Sequence, residues 1–105
     1  MYSVPLAAIP NQQVSVRLEG ALFSLTVKAA RTLMAVTITR DGETVVSGVR
    51  CLPDTPLIPY RHMEGVAGNF YFFTAGGEYP HYSRFAGTDR LIYATAAELE
   101  VLRNG

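Results

Sequence analysis

Asp41 and Gly42 stand between two runs rich in β-branched residues, "AVTITR" before and "ETVV" after. A two-residue hairpin whose turn matches the right-handed twist of its strands needs positive φ at both central positions. Asp tolerates that conformation and Gly adopts it freely. The pair therefore predicts a β-hairpin, and it constrains its surroundings: a chain that reverses here has to pair the segment before the turn with the segment after it. The period-two alternation upstream agrees. In "QVSVRLE" Val14, Val16 and Leu18 share one face and Ser15, Arg17 and Glu19 the other. Gly20 interrupts, and "ALFSLTVK" resumes with Phe23, Leu25 and Val27 inward and Ser24, Thr26 and Lys28 outward. This is the signature of a half-buried hairpin. "AART" reads as a short helical or irregular link into "LMAVTITR", and Gly48 in the return strand suggests a bulge or a close approach of another backbone.

Further along, "NFYFFTA" places Phe70 and Phe72 on one face and Tyr71 and Phe73 on the other, so both faces are expected to be covered. Gly76 and Gly77 turn the chain into a long aromatic loop, "EYPHYSRFAGTD", and "RLIYA" reads as the last strand. "TAAE" from Thr95 has the spacing of a capping box, with Glu98 reaching back to the Thr95 amide and Leu99 and Leu102 inward. The expected fold is all-β: a closed or partly closed barrel or a sandwich of about 6–8 strands with a short C-terminal helix. At 105 residues it forms one domain, residues 1–105, with residues 1–12 an extended N-terminal arm marked by Pro5, Pro10 and Asn11.

The stretch "CLPDTPLIPYRH" carries Pro53, Pro56 and Pro59 at every third position. Pro56, Pro59 and Arg61 match the spacing of an SH3 ligand. Strong strands on both sides and two aliphatic residues in need of burial, Leu57 and Ile58, favour a rigid crossover within the domain instead. In that crossover Pro53 and Pro56 bracket a turn through Asp54 and Thr55, and Pro59 holds Ile58 extended.

Charge excludes several functions. Nine basic and nine acidic residues cancel, so the chain lacks the cationic surplus that binds nucleic acid or anionic lipid. No run of residues approaches a membrane span, and the N-terminus lacks the pattern of a signal peptide. Lone Cys51 permits neither an internal disulfide nor a cysteine-based zinc site, and its apolar strand reads as core. His62 and His81 lack a supporting ligand cluster, so no metal site is expected, although His62 with Glu64 is the nearest approach to one. Neither a nucleophile elbow nor a phosphate-binding glycine loop is present. Asp41, Asp54 and Asp89 all fall in turn segments. The chain is therefore expected to be no enzyme and to hold no cofactor; a small hydrolase using His62 or His81 is the weakest alternative.

Aromatic residues point elsewhere. Nine of the eleven lie between Tyr60 and Tyr93, interleaved with Arg61, Arg84 and Arg90, and eight of the nine basic residues are Arg. Tyr and Arg bury large areas while keeping their polar ends satisfied, which suits a protein–protein interface. The expected interface residues are Tyr60, Arg61, Tyr71, Tyr79, Tyr82, Arg84 and Phe85. A charged content of only 17% fits a chain with part of its surface reserved for neighbours. The alternative is a small nucleic-acid-binding β-barrel whose aromatics stack on bases.

Five segments in order, "VPLAAIPNQ", "RDG" with "GVRCLPDTPLIPY", "GNFYFFT", "YPHYSRF" and "RLIYAT", resemble the small baseplate plug proteins of contractile-tailed bacteriophages and prophages. They span almost the whole chain. The departures are Val4, where the family has Ile, and a variable loop around Glu64. The resemblance implies a structural virion component in the tail baseplate, made in the host bacterial cytoplasm. It would sit in the central hub near the lower end of the tail tube, closing the channel or joining tube, hub and spike. It further implies several copies about a three-fold or six-fold axis, with no cofactor and no catalytic residue.

Overall fold

The structure, a computed structural model, describes residues 1–30, 33–53, 55–58, 68–85 and 87–104. Among the described residues seven strands form two antiparallel sheets. The larger is a meander of β2 (Asn11–Leu18), β3 (Ala21–Ala30), β4 (Leu33–Arg40) and β5 (Glu43–Arg50), in the order β2-β3-β4-β5. The smaller holds β1 (Tyr2–Val4), β6 (Asn69–Phe73) and β7 (Arg90–Ala94), in the order β1-β7-β6. A helix, α1 (Ala96–Asn104), follows β7. The described strands thus make a sandwich of two separate sheets and not one closed barrel.

Both expected hairpins form. Glu19 and Gly20 have φ of 49° and 79°, and Asp41 and Gly42 have φ of 52° and 86°, so each turn carries the paired positive φ that a two-residue hairpin requires. Asp41 also closes its turn against the neighbouring strand: its carboxylate accepts from the Leu22 amide at 2.9 Å while its own amide donates to the Leu22 carbonyl at 2.8 Å. The "AART" link is corrected. Ala29 and Ala30 continue β3, opposite Met34 and Leu33, because the ladder gains a pair at each step; Arg31 and Thr32 lie outside the described residues.

Gly48 sits in a bulge, as one of the two readings of it expects. The β4–β5 register shifts twice, and Gly48 has φ of 63° with its amide donating to the Thr37 hydroxyl at 3.0 Å. A Cβ there would meet nothing within 4 Å, so the glycine answers to backbone conformation and not to a close neighbour. The bulges explain how a strand without regular alternation still turns Val46 into the core and Val45 and Val49 against it.

The core lies between the sheets. Phe23, Leu25 and Val27 of β3 and Met34, Val36 and Ile38 of β4 are buried against Phe70 and Phe72 of β6 and Leu91 and Tyr93 of β7. Three rings cross the layers: Phe23 meets Phe70 edge-on at 5.1 Å, Phe70 meets Tyr93 at 4.9 Å, and Phe23 meets Tyr93 at 5.7 Å. Such pairs add ~0.5–1.5 kcal/mol each beyond the area they bury. Cys51 is fully buried, and burial pushes its thiol up to about 12. The proline crossover is pinned along β6. Pro53 bridges to Phe72, the Leu57 amide donates to the Phe70 carbonyl at 2.9 Å, and the Asn69 side chain bonds both the amide and the carbonyl of Ile58. Leu57 and Ile58 are buried, which removes them from any free ligand. Asp54 and Pro59 lie outside the described residues.

Candidate interaction surface

The second face of β6 departs from expectation. Phe70 and Phe72 are fully buried, but Tyr71 is only half-buried and Phe73 is 55% exposed. Among the described residues the larger sheet packs against the face that carries Phe70 and Phe72, while the opposite face holds half-buried Tyr71 and exposed Phe73. Just beyond Phe73 the chain closes on itself. The Thr74 hydroxyl donates to the Glu78 carbonyl at 2.7 Å, and Gly76 and Gly77 take φ of 77° and 72° in the turn between. Phe73 and Tyr79 therefore flank the neck of one tight loop, and Tyr79 is 58% exposed.

The next loop is built around a buried carboxylate. Asp89 is 1% exposed; its Oδ2 accepts from Arg84 Nε and from the His81 amide, both at 3.0 Å. Arg84 Nη2 donates to the Tyr79 carbonyl at 2.7 Å and lies 3.7 Å from the Glu78 carboxylate. A buried carboxylate is costly unless paired and hydrogen-bonded, and here a guanidinium and a backbone amide meet that need. Arg84 consequently acts first as a brace that fixes Tyr79. His81 stacks on half-buried Tyr82 at 4.4 Å, and its Nδ1 lies 2.7 Å from the Ser83 hydroxyl.

The expected interface residues thus divide. Tyr71, Tyr79 and Tyr82 reach the surface of this region and Arg84 braces it. Phe85 packs in the core of the chain: it is 5% exposed and stacks on Phe72 at 5.5 Å, following the 3₁₀ turn Tyr82–Arg84. Tyr60, Arg61, His62 and Glu64 lie outside the described residues. Among the described residues no group of three His, Cys, Asp or Glu assembles.

Sequence reasoning missed Glu19. Expected on the outer face of a strand, it occupies the first turn, where its Oε1 accepts from the Tyr93 hydroxyl at 2.6 Å and from the Ala96 amide at 3.0 Å. The same hydroxyl accepts from the Gly68 amide at 2.7 Å. Burial, reinforced by the Glu19 carboxylate, raises the Tyr93 phenol well above its usual range. Only Glu19's place beside a turn glycine hints at this role; its partners lie more than seventy residues away. The capping box forms as expected: the Thr95 amide donates to Glu98 Oε1 at 3.0 Å and the Glu98 amide to the Thr95 hydroxyl at 3.2 Å. The Met1 amino group donates to Glu98 Oε2 at 2.6 Å, and that bond, with the Thr95 amide, lowers the Glu98 carboxyl to about 2.

A family model described as cyanophage baseplate Pam3 plug gp18 matches residues 1–96. The chain belongs to this family. The match takes in every strand of both sheets and ends at Ala96, the first residue of α1. A baseplate family implies a place in the virion tail, among other baseplate proteins. No curated protein matches this plug-family chain. Among the described residues no helix is long and apolar enough to cross a membrane.

Proposed function

We propose that the chain is a structural component of a contractile-tail baseplate, seated in the central hub, where it closes or connects the tail-tube channel. It does so by contacts with hub, tube and spike proteins, in several copies about a three-fold or six-fold axis. The observation that carries this reading is the exposed pair of rings, Phe73 at the end of β6 and Tyr79 on the loop braced by the Arg84–Asp89 pair, in a chain of a baseplate plug family. A large aromatic on a braced loop loses little entropy on docking, which is what an interface anchor needs. Family membership also speaks for a structural and against an enzymatic role. Base stacking is disfavoured by the same geometry. Phe70, Phe72, Phe85 and Tyr93 are buried, and the formal charge of the chain is zero.

The test is affinity purification of the tagged chain from phage-producing cells, with its companions identified by mass spectrometry. Tube, hub or spike proteins in fixed ratio are the expected companions. Recovery of the chain alone, or with nucleic acid, would overturn the proposal.

A further inference from the structure

Among the described strands four edges bound the two sheets, and they are not equally protected. The outer edge of β5 is broken by two bulges. That of β6 is lined by the crossover through the Pro53 bridge and the Leu57 amide. β1 is three residues long and is followed by Pro5. β2 has none of these devices. It pairs with β3 over eight unbroken residues, contains no proline, and carries one charge, Arg17. Natural sheets rarely leave such an edge bare unless something pairs with it.

The direction of its backbone groups can be read from β3. Both the amide and the carbonyl of Leu22 bond to Asp41, on the β4 side. Arg17, opposite Leu22, is therefore in a non-hydrogen-bonded pair with β3. Its N–H and C=O face the open side, and by alternation so do those of Ser15, Gln13 and Asn11. Among the described residues none of these groups takes a partner. The side chains show the same incompleteness. Val14, Val16 and Leu18 face the core yet remain half-buried, whereas Leu25, Val27, Val36 and Ile38 on the next two strands are fully buried.

We propose that β2 pairs antiparallel with β2 of a second copy of this chain, joining two four-stranded sheets into one of eight strands. The strand is complementary to itself. With Ser15 on the two-fold axis, the outward-facing groups of Gln13, Ser15 and Arg17 meet their counterparts. Val14 lies against Val16 of the second copy on the core side. Arg17 faces Gln13 of the second copy, so the one charge never opposes its own kind. Isologous pairing of this sort uses one patch twice and closes at two copies, so it describes the chain in solution, before it enters the three-fold or six-fold arrangement proposed above. It rests on the edge alone and not on the hub placement proposed above.

The test is sedimentation velocity on the full chain with Ser15→Pro and Ser15→Ala. Proline at position 15 removes an N–H that faces away from β3, so the β2–β3 ladder is spared while the new one is interrupted. The unaltered chain and Ser15→Ala are expected to sediment at twice the mass of one chain, and Ser15→Pro at the mass of one. Hydrogen exchange on the unaltered chain gives an independent reading should Ser15→Pro fail to fold. The amides of Gln13, Ser15 and Arg17 should lose protection on dilution, while those of Val14 and Val16 keep it. A monomer with those three amides freely exchanging at every concentration would overturn the proposal. So would a folded Ser15→Pro chain that remains dimeric.

Discussion

Tyr93 joins segments far apart in the sequence. Its ring belongs to the cluster between the sheets, and its hydroxyl stands between the Gly68 amide and the Glu19 carboxylate. Tyr93→Phe keeps the ring but strands the buried Gly68 amide, at a cost of ~1–3 kcal/mol. Glu19→Ala removes the other partner together with the acceptor for the Ala96 amide. Because the two groups share one network, the double variant should lose less stability than the sum of the singles, which a double-mutant cycle in urea measures. Glu98 gives a second prediction at this scale. Its carboxyl is lowered from 4.5 to about 2 in the folded chain by the Met1 amino group and the Thr95 amide. A depressed carboxyl contributes stability that is fully present above its unfolded value and disappears as pH falls from about 4.5 through about 2. Glu98→Gln should flatten that part of the acid limb in denaturation midpoints taken across the range.

Among the elements, the bulged strand β5 makes the clearest demand. Gly48 holds a left-handed conformation in open space, so replacement is limited by φ and not by packing. A β-branched residue suffers most there and Asn least. Gly48→Val should lose ~1–2 kcal/mol in urea melts and Gly48→Asn distinctly less. The elements also show what a sequence can and cannot reveal. β2, β3 and β4 were legible because each is a local alternation against a single buried face, and both hairpins because their turns need residues of special conformation. The capping box was legible for the same reason, since its partners lie three residues apart. β1 was not: three residues between Met1 and Pro5 carry no period, and only β7, almost ninety residues on, makes them a strand. The burial of Phe85, the exposure of Phe73 and the reach of Glu19 were equally invisible. Each depends on contacts distant in sequence, so the candidate surface was legible as a composition of Tyr and Arg but not as a geometry.

At the scale of the whole molecule, the candidate surface and the core are separable, which makes the proposed function open to mutation. Tyr79→Ala removes an exposed ring and should leave the melting temperature within a degree or two, by ~0.5 kcal/mol or less, while reducing incorporation into particles by tenfold or more. Arg84→Ala is a poorer probe, because it also unpairs Asp89. Equal incorporation of Tyr79→Ala, judged by mass spectrometry of purified particles, would remove that ring from the interface. Cys51 has a different use. Its thiol is fully enclosed and held at about 12, so a thiol reagent finds neither access nor thiolate while the sandwich is closed. Labelling at neutral pH should proceed only through openings of the core, with a rate that rises in urea along the slope of global unfolding. The cysteine then works as an internal clock: each ~1.4 kcal/mol removed at Tyr93 or Gly48 should make it run about ten times faster.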